Sequence, residues 1–287
     1  MSLPAPDAAR PRARFVRRFL RQPLPVIALA YLLLVTLVAV FAPWLAPLDP
    51  ARQNLSNVLG DPGGEHLLGT DELGRDVLSR LLMGSRVSLL AAVQGTLVAL
   101  AIGVPVGLVA GYFRGGVDRV IMVFTDAVMS LPGLVLAMAI VAIWGPNLTN
   151  AMIAIGIVVS PQAIRLVRSS VLQIREETYV EASRSIGTRP LGIIARHVLP
   201  NAAGPLIVFT ALLAGSVMLV EAGLSFIGLG VQPPEASWGA MLGTSFRYLS
   251  RAPELALYPG LAIATTVLAL NLVGDGVRDS IGKRVSR

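Results

Sequence analysis

The chain has 287 residues, of which 54% are apolar and only 14% charged, with a net charge of +7 and no cysteine. A soluble domain carries about 25% charge, so a water-soluble globule is excluded and most of the chain belongs in lipid. Without cysteine there is no disulfide framework, thiolate metal site or cysteine nucleophile.

The apolar runs are continuous, and a helix needs about 20 residues to cross a hydrocarbon core of about 30 Å. Lipid-exposed backbone must satisfy its own hydrogen bonds, and the alternation of a barrel is missing, so the fold class is all-α and polytopic. Six spans are expected: about Val26 to Trp44, Val87 to Tyr112, Val120 to Ile143, Ala151 to Val167, Pro205 to Ile227 and Leu255 to Val273. The fourth is short and contains Pro161. This divides the chain into a basic tail (1–23), a first transmembrane helix (24–46), an outer segment (47–86), a transmembrane core (87–275) and a C-terminal tail (276–287). Within the core lie a two-helix loop (178–200) and an outer loop (228–254). Arg17-Arg18-Phe19-Leu20 resembles part of a twin-arginine export signal, but the run that follows approaches span length and has no small-x-small cleavage site. An uncleaved first span is expected.

In the outer segment from His66 to Leu90, Gly69, Thr70, Asp71, Gly74, Arg75 and Asp76 predict a turn and then a capped amphipathic helix. Val77, Leu78, Leu81 and Leu82 would lie on its membrane-facing side. His66, Asp71 and Asp76 could be imagined around a metal, but one imidazole with solvated carboxylates reads better as caps and surface pairs. From Leu224 to Leu242, Gly228, Gly230, Pro233 and Pro234 exclude a continuous helix. Phe226, Trp238 and Met241 suit an interfacial belt or a docking surface; Pro233, Pro234 and Trp238 are the candidates for contact with an extracytoplasmic partner.

Arginine and lysine are unevenly placed. Eighteen of the 24 fall on the side of the tails and the two-helix loop, and six on the other: Arg52, Arg75, Arg80, Arg86, Arg247 and Arg251. The positive-inside rule then puts both termini and the loop in the cytoplasm. The net charge reflects topology and anionic lipid, and no groove-reading module for nucleic acid is present.

In the two-helix loop, Thr178 and Glu181 have capping-box spacing, so a helix is expected to start near Tyr179. Gly187 can end it in the left-handed conformation, and Pro190 suits the first turn of a second helix. That helix is expected to stop at about Val198, before Leu199 and Pro200. Two acids fall inside spans: Asp126, about 9 Å into the third at 1.5 Å per residue, and Glu221, toward the outer end of the fifth. A charge at mid-bilayer costs about 2.5–3.5 kcal/mol, so both should face a pore or a neighbouring helix. Gly95, Gly103, Gly107, Gly111 and Gly215 read as close-packing positions.

Glu181, Ala182, Gly187, Leu199 and Pro200 resemble the EAA loop of ABC-importer permeases; Ser183 keeps a small residue at the third alanine, and His197 stands at the isoleucine, the form seen in the peptide-importing branch. The patterns HLLGTDELGRDVLSRLLMGSRVSL, AGYFRGGVDRVIM, HVLPN, EAGLSFIGLGVQPPEASWGAML and NLVGDGVRD follow in order. Together they resemble the second permease subunit of dipeptide, oligopeptide and nickel-type ABC importers. The first 23 residues carry least of it, and Met122-Val123 stands where many relatives have Met-Arg.

The resemblance implies a type I importer fold in the cell membrane and a heterodimer with a similar permease. It also implies two cytoplasmic ATPases holding ATP and Mg, and an extracytoplasmic solute-binding protein. It further implies an ATPase-coupling surface comprising Tyr179, Glu181, Ala182, Ser183, Arg184, Gly187, Arg189, His197, Leu199 and Pro200. No G-x-x-x-x-G-K-[ST] loop or catalytic constellation is present, so the chain is expected to bind no cofactor and to be a transport subunit rather than an enzyme. Di- or oligopeptides are the expected cargo, with nickel chelates, glutathione or another small solute as alternatives. A self-contained secondary transporter and a membrane scaffold are the competing classes; no internal repeat supports the former.

Overall fold

In the computed structural model, residues 11–282 are described. Arg10, Lys283, Arg284 and Arg287, counted above for orientation, lie outside the described residues. A short basic helix, α1 (Pro11–Phe19), precedes α2 (Pro23–Leu45). With prolines in its first turn, where an N–H is dispensable, α2 runs for 23 residues, about 35 Å. It buries only Pro25, Ala28, Ala39 and Ala42 and exposes Leu33, Leu34, Leu37, Val40, Phe41 and Trp44.

The expected outer amphipathic helix and second span are one element, α3 (Val77–Phe113), of 37 residues. Asp76 caps it, its side chain accepting from the Ser79 N–H at 2.8 Å. Nothing between Val77 and Val87 breaks helical geometry, so the two expected elements run on as one helix. Along α3, glycines open a groove for α6 (Leu148–Ile174). A β-carbon on Gly103 would lie 2.4 Å from the Ala163 Cβ, and one on Gly111 would lie 2.7 Å from the Val171 Cβ. Gly156 of α6 reciprocates, with Val98 Cβ 2.5 Å from the site of its missing carbon. These close approaches put α3 and α6 at the centre of the bundle, and the α3 glycines are close-packing positions as expected.

The third span departs from expectation. It is two helices, α4 (Gly115–Met129) and α5 (Gly133–Trp144), bent by 90°. Pro132 explains the break, since it pushes Leu131 out of the helical region and has no N–H to continue the ladder. Among the described residues, five helices are long and apolar enough to cross a membrane, and the bent pair makes a sixth crossing when taken as one. The fourth span is longer than expected, because Arg165 and Arg168 are paired with acids and need not end α6.

After α7 (Thr178–Ser185) and α8 (Pro190–Ile193), a π-helical turn at Ile194–Val198 leads into α9 (Leu199–Phe226). The expected stop before Pro200 does not occur. The Leu199 N–H bonds the Ile194 carbonyl, and this wider turn absorbs the proline that would clash in a regular helix. A short α10 (Trp238–Ser245) and the long α11 (Glu254–Gly282) complete the chain, α11 packing on α9 and α2. Among the described residues there is no strand, only isolated bridges near residues 63–76.

Candidate functional site: the two-helix loop between α6 and α9

The loop begins as α6 ends. Glu177, not Thr178, is the N-cap of α7, and it makes no side-chain cap bond. Thr178 is already helical, so the expected capping box is not formed. The C-terminus follows the expectation closely. Gly187 has φ +81°, its N–H bonds the Arg184 carbonyl at 3.0 Å, and the Thr188 N–H bonds the Ser183 carbonyl at 3.1 Å. This is a Schellman closure, which needs a residue that tolerates positive φ. Pro190 occupies the first turn of α8 after the cap Arg189.

The two helices form a rigid corner. Val180, Ile193 and Val198 are buried against Val167 and Val171 of α6 and Tyr112 of α3. Ser183 Oγ lies 3.2 Å from His197 Nε2, and the Tyr179 and His197 rings sit 5.8 Å apart. Asn201 donates to the Tyr179 hydroxyl at 3.2 Å and to the His197 carbonyl at 2.7 Å. Arg184 stacks 5.9 Å over the Tyr112 ring, and Arg175 lies over the same ring and donates to the Tyr112 carbonyl. Burial and the neighbouring Arg184 and Arg114 cations push the Arg175 pKa down, while hydrogen bonding to Arg114 holds the Glu176 carboxyl below its ordinary value.

Away from the bundle the loop presents Glu181, Ala182, Arg189, Leu199 and Pro200, all exposed. At its tip Ile186 and Leu191 are 82% and 78% exposed. The sequence reading missed these two; their signal was a pair of large apolar residues flanking the Gly-Thr-Arg-Pro turn. Apolar side chains held out by a rigid turn mark a docking surface more than a solvated loop. Asn201 and Tyr112 were missed as well, since nothing in their local spacing points to Tyr179 as a partner of the first or to Arg175 and Arg184 as partners of the second.

The other candidates are distributed differently. Asp126 is paired with Arg165 of α6 at 2.6 Å, and Asp118 is held by both nitrogens of the Arg168 fork at 2.5 and 2.6 Å. Glu221 is 1% exposed, accepts from the Ser225 hydroxyl at 2.7 Å, and is enclosed where Gly239 of α10 meets Ala222. It is therefore shut inside the helix packing rather than open to a pore.

Pro233 and Pro234 are exposed and line a cavity of about 650 Å³ with Arg75, Arg80 and Arg247. Trp238 requires correction as a partner contact: it is 3% exposed. Its backbone N–H donates to Ser88 Oγ and its indole N–H to the Leu81 carbonyl, both at 3.0 Å, so it fastens α10 to α3. Met241 is buried too, whereas Phe226 is exposed beside Phe246, their rings 5.7 Å apart. Asp71 binds Arg75 at 2.7 Å and Arg80 at 3.3 Å, and Asp76 faces His66 at 3.0 Å, so these acids serve caps and pairs.

Residues 103–287 match the model of the family described as binding-protein-dependent transport system inner membrane component. The chain belongs to this family. It is accordingly a multi-pass membrane protein and a permease subunit of an ABC importer. Such permeases work with ATPase and solute-binding subunits. Residues 10–62 match the N-terminal TM domain of oligopeptide transport permease C, reaching back into the stretch that carried least resemblance.

Among the permease's relatives is the glutathione transport system permease protein GsiD of Pectobacterium atrosepticum. It is 42% identical over 276 residues, 96% of this chain and 92% of that one. GsiD of Escherichia coli O157:H7 is 41% identical over 287 residues, 99% and 95% of the two chains. A chain of the MetNI methionine ABC transporter, solved in inward-facing conformations, superposes with a TM-score of 0.61 at 19% identity. That likeness covers 71% of this chain and 97% of the other, and it concerns the fold.

Proposed function

We propose that this permease forms half of a translocation pore with a second, similar permease and is driven by two cytoplasmic ATPases. The ATPases hold ATP and Mg; this chain holds neither. An extracytoplasmic binding protein delivers the cargo, and both termini of the chain lie in the cytoplasm. The cargo is a peptide-like solute, from dipeptides and oligopeptides to glutathione. The sequence patterns shared with peptide importers and the identity to permeases named for glutathione support this class.

The observation that carries the coupling role is the rigid corner at α7–α8 with Ile186 and Leu191 held out at its tip. A push on α7 is passed through Val180 and Ile193 to Tyr112 and Val171, and through the continuous π turn to α9. Closure of the ATPases on ATP then tilts α6 and α9 together, and a bundle with two discrete packings switches its access. Tyr179, Glu181, Ala182, Ser183, Arg184, Gly187, Arg189, His197, Leu199 and Pro200 form or brace this surface. The arginines add little, since exposed pairs contribute about 0–1 kcal/mol.

The test is co-purification of the tagged chain from mildly solubilised native membranes, with crosslinking and mass spectrometry. Recovery of a second permease and Walker-motif ATPases is expected. Recovery of this chain alone would refute the assembly.

A further inference from the structure

α6 is the most enclosed of the long helices, with 61% of its apolar stretch buried against 17% for α2 and 39% for α3. What it leaves uncovered is polar. Its exposed positions are Thr149, Gln162, Arg165, Ser169 and Gln173, whereas α2 exposes leucine, valine and aromatic side chains. Gln162, Arg165, Ser169 and Gln173 are spaced by three and four residues and so share one face.

Depth makes this informative. The 27 residues of α6 span about 40 Å at 1.5 Å each, so a core of about 30 Å leaves about 5 Å at either end. A core centred on α6 takes in Gln162, Arg165 and Ser169. Beside them, the Asp126–Arg165 pair is 58% and 47% exposed. Charges at such depth do not face lipid; they face a water-filled path or a protein partner. The two ion pairs joining α4 to α6 also differ in kind. Asp118–Arg168 is bidentate and only 16% and 29% exposed, a strut. Asp126 and Arg165 share, among the described residues, a single hydrogen bond, from Arg165 Nη2 to Asp126 Oδ1. That leaves the other carboxylate oxygen and most of the guanidinium fork available.

We propose that the α6 face of Gln162, Arg165 and Ser169 lines the aqueous translocation pathway, and that Arg165 and Asp126 contact the passing solute. The Arg165 fork receives a carboxylate, for which its planar geometry is suited, and Asp126 receives an ammonium group. The solute class is a zwitterion with both groups free, such as a short peptide. This second part rests on the peptide-importer reading above.

The absence of cysteine makes the test direct. Single-cysteine variants Q162C, S169C and, as a lipid-facing reference, L34C are placed in the transporter assembled with its partner subunits. They are treated with a membrane-impermeant, water-soluble thiol reagent. The thiolate is the reactive form and apolar surroundings raise its pKa, so Q162C and S169C should label at least about tenfold faster than L34C. Equal labelling of all three overturns the pathway assignment, whatever the cargo.

For the contact, uptake of a dipeptide with free ends is compared with its N-acetylated and C-amidated forms in D126N and R165Q. D126N should raise the half-saturation concentration about tenfold only for substrates with a free amine, and R165Q only for those with a free carboxylate. An equal loss for every form makes the pair a strut and overturns the contact. A wild-type complex that labels as expected yet moves no peptide overturns the peptide reading and the contact with it, while the pathway lining stands.

Discussion

Replacing Gly187 isolates backbone conformation from packing. Its φ of +81° closes α7, yet a β-carbon there would meet nothing within 4 Å. A substitution therefore costs only the left-handed conformation, about 1–2 kcal/mol for an ordinary residue and more for a branched one. Asparagine tolerates that region and should cost least. If the exposed tip must be held in this shape to engage the ATPases, a loss of about 1–2 kcal/mol reduces the engaged population about 5–30-fold. Uptake and substrate-stimulated ATP hydrolysis would be measured in proteoliposomes of the whole transporter, with membrane amounts of each variant matched. The expected order of coupled uptake is glycine, asparagine, alanine, valine, with basal ATPase activity retained. Alanine outperforming asparagine, or G187V transporting normally, would refute the reasoning, because neither outcome is compatible with a requirement for positive φ.

Further outcomes follow from packing and charge. G103V drives atoms into Ala163 and should destabilise the α3–α6 contact by about 1–3 kcal/mol, read as a lowered Tm in detergent. W238A empties a buried site and removes the indole N–H that the Leu81 carbonyl accepts, costing about 3–5 kcal/mol and exposing α10 to limited proteolysis; a W238A protein as stable as the parent would return Trp238 to the surface. N201A removes the brace between Tyr179 and His197 at a cost of about 1 kcal/mol, so ATP-driven uptake should fall while cargo binding to the delivery protein is untouched. The Glu176 pKa is depressed by Arg114, so whatever stability the exposed pair adds is present above the ordinary glutamate pKa and is lost only as pH falls through the lower folded value. Thermal scans of E176Q and the parent should therefore keep a constant offset across neutral pH.

Much of this permease was legible without coordinates. Long apolar runs can bury their backbone polar groups in lipid only as helices, so the spans follow from composition and length. Gly187, Pro190 and the α3 glycines were equally legible, because each restricts the chain locally. The coupling surface was found through its punctuation, but its apolar tip was overlooked, since hydropathy alone does not tell an exposed isoleucine from a buried one.

What depended on distant contacts could not be read along the chain. Arg165 and Arg168 looked like marks of orientation until α4 brought Asp126 and Asp118 beside them. Trp238 had the composition of an interfacial anchor, and only the position of Ser88 and Leu81 on α3 shows it to be an internal fastening. Pro132 breaks a helix whereas Pro200 does not, because a π turn precedes one and none precedes the other. Hydrophobic length and backbone restriction act within a few residues, and so the helical class, the number of apolar runs and the turn at Gly187 can be read along the chain, though not where each helix begins, bends or ends. Pairing of charges, burial of aromatic rings and the fate of each proline depend on what lies across the bundle, and those the tertiary structure alone decided.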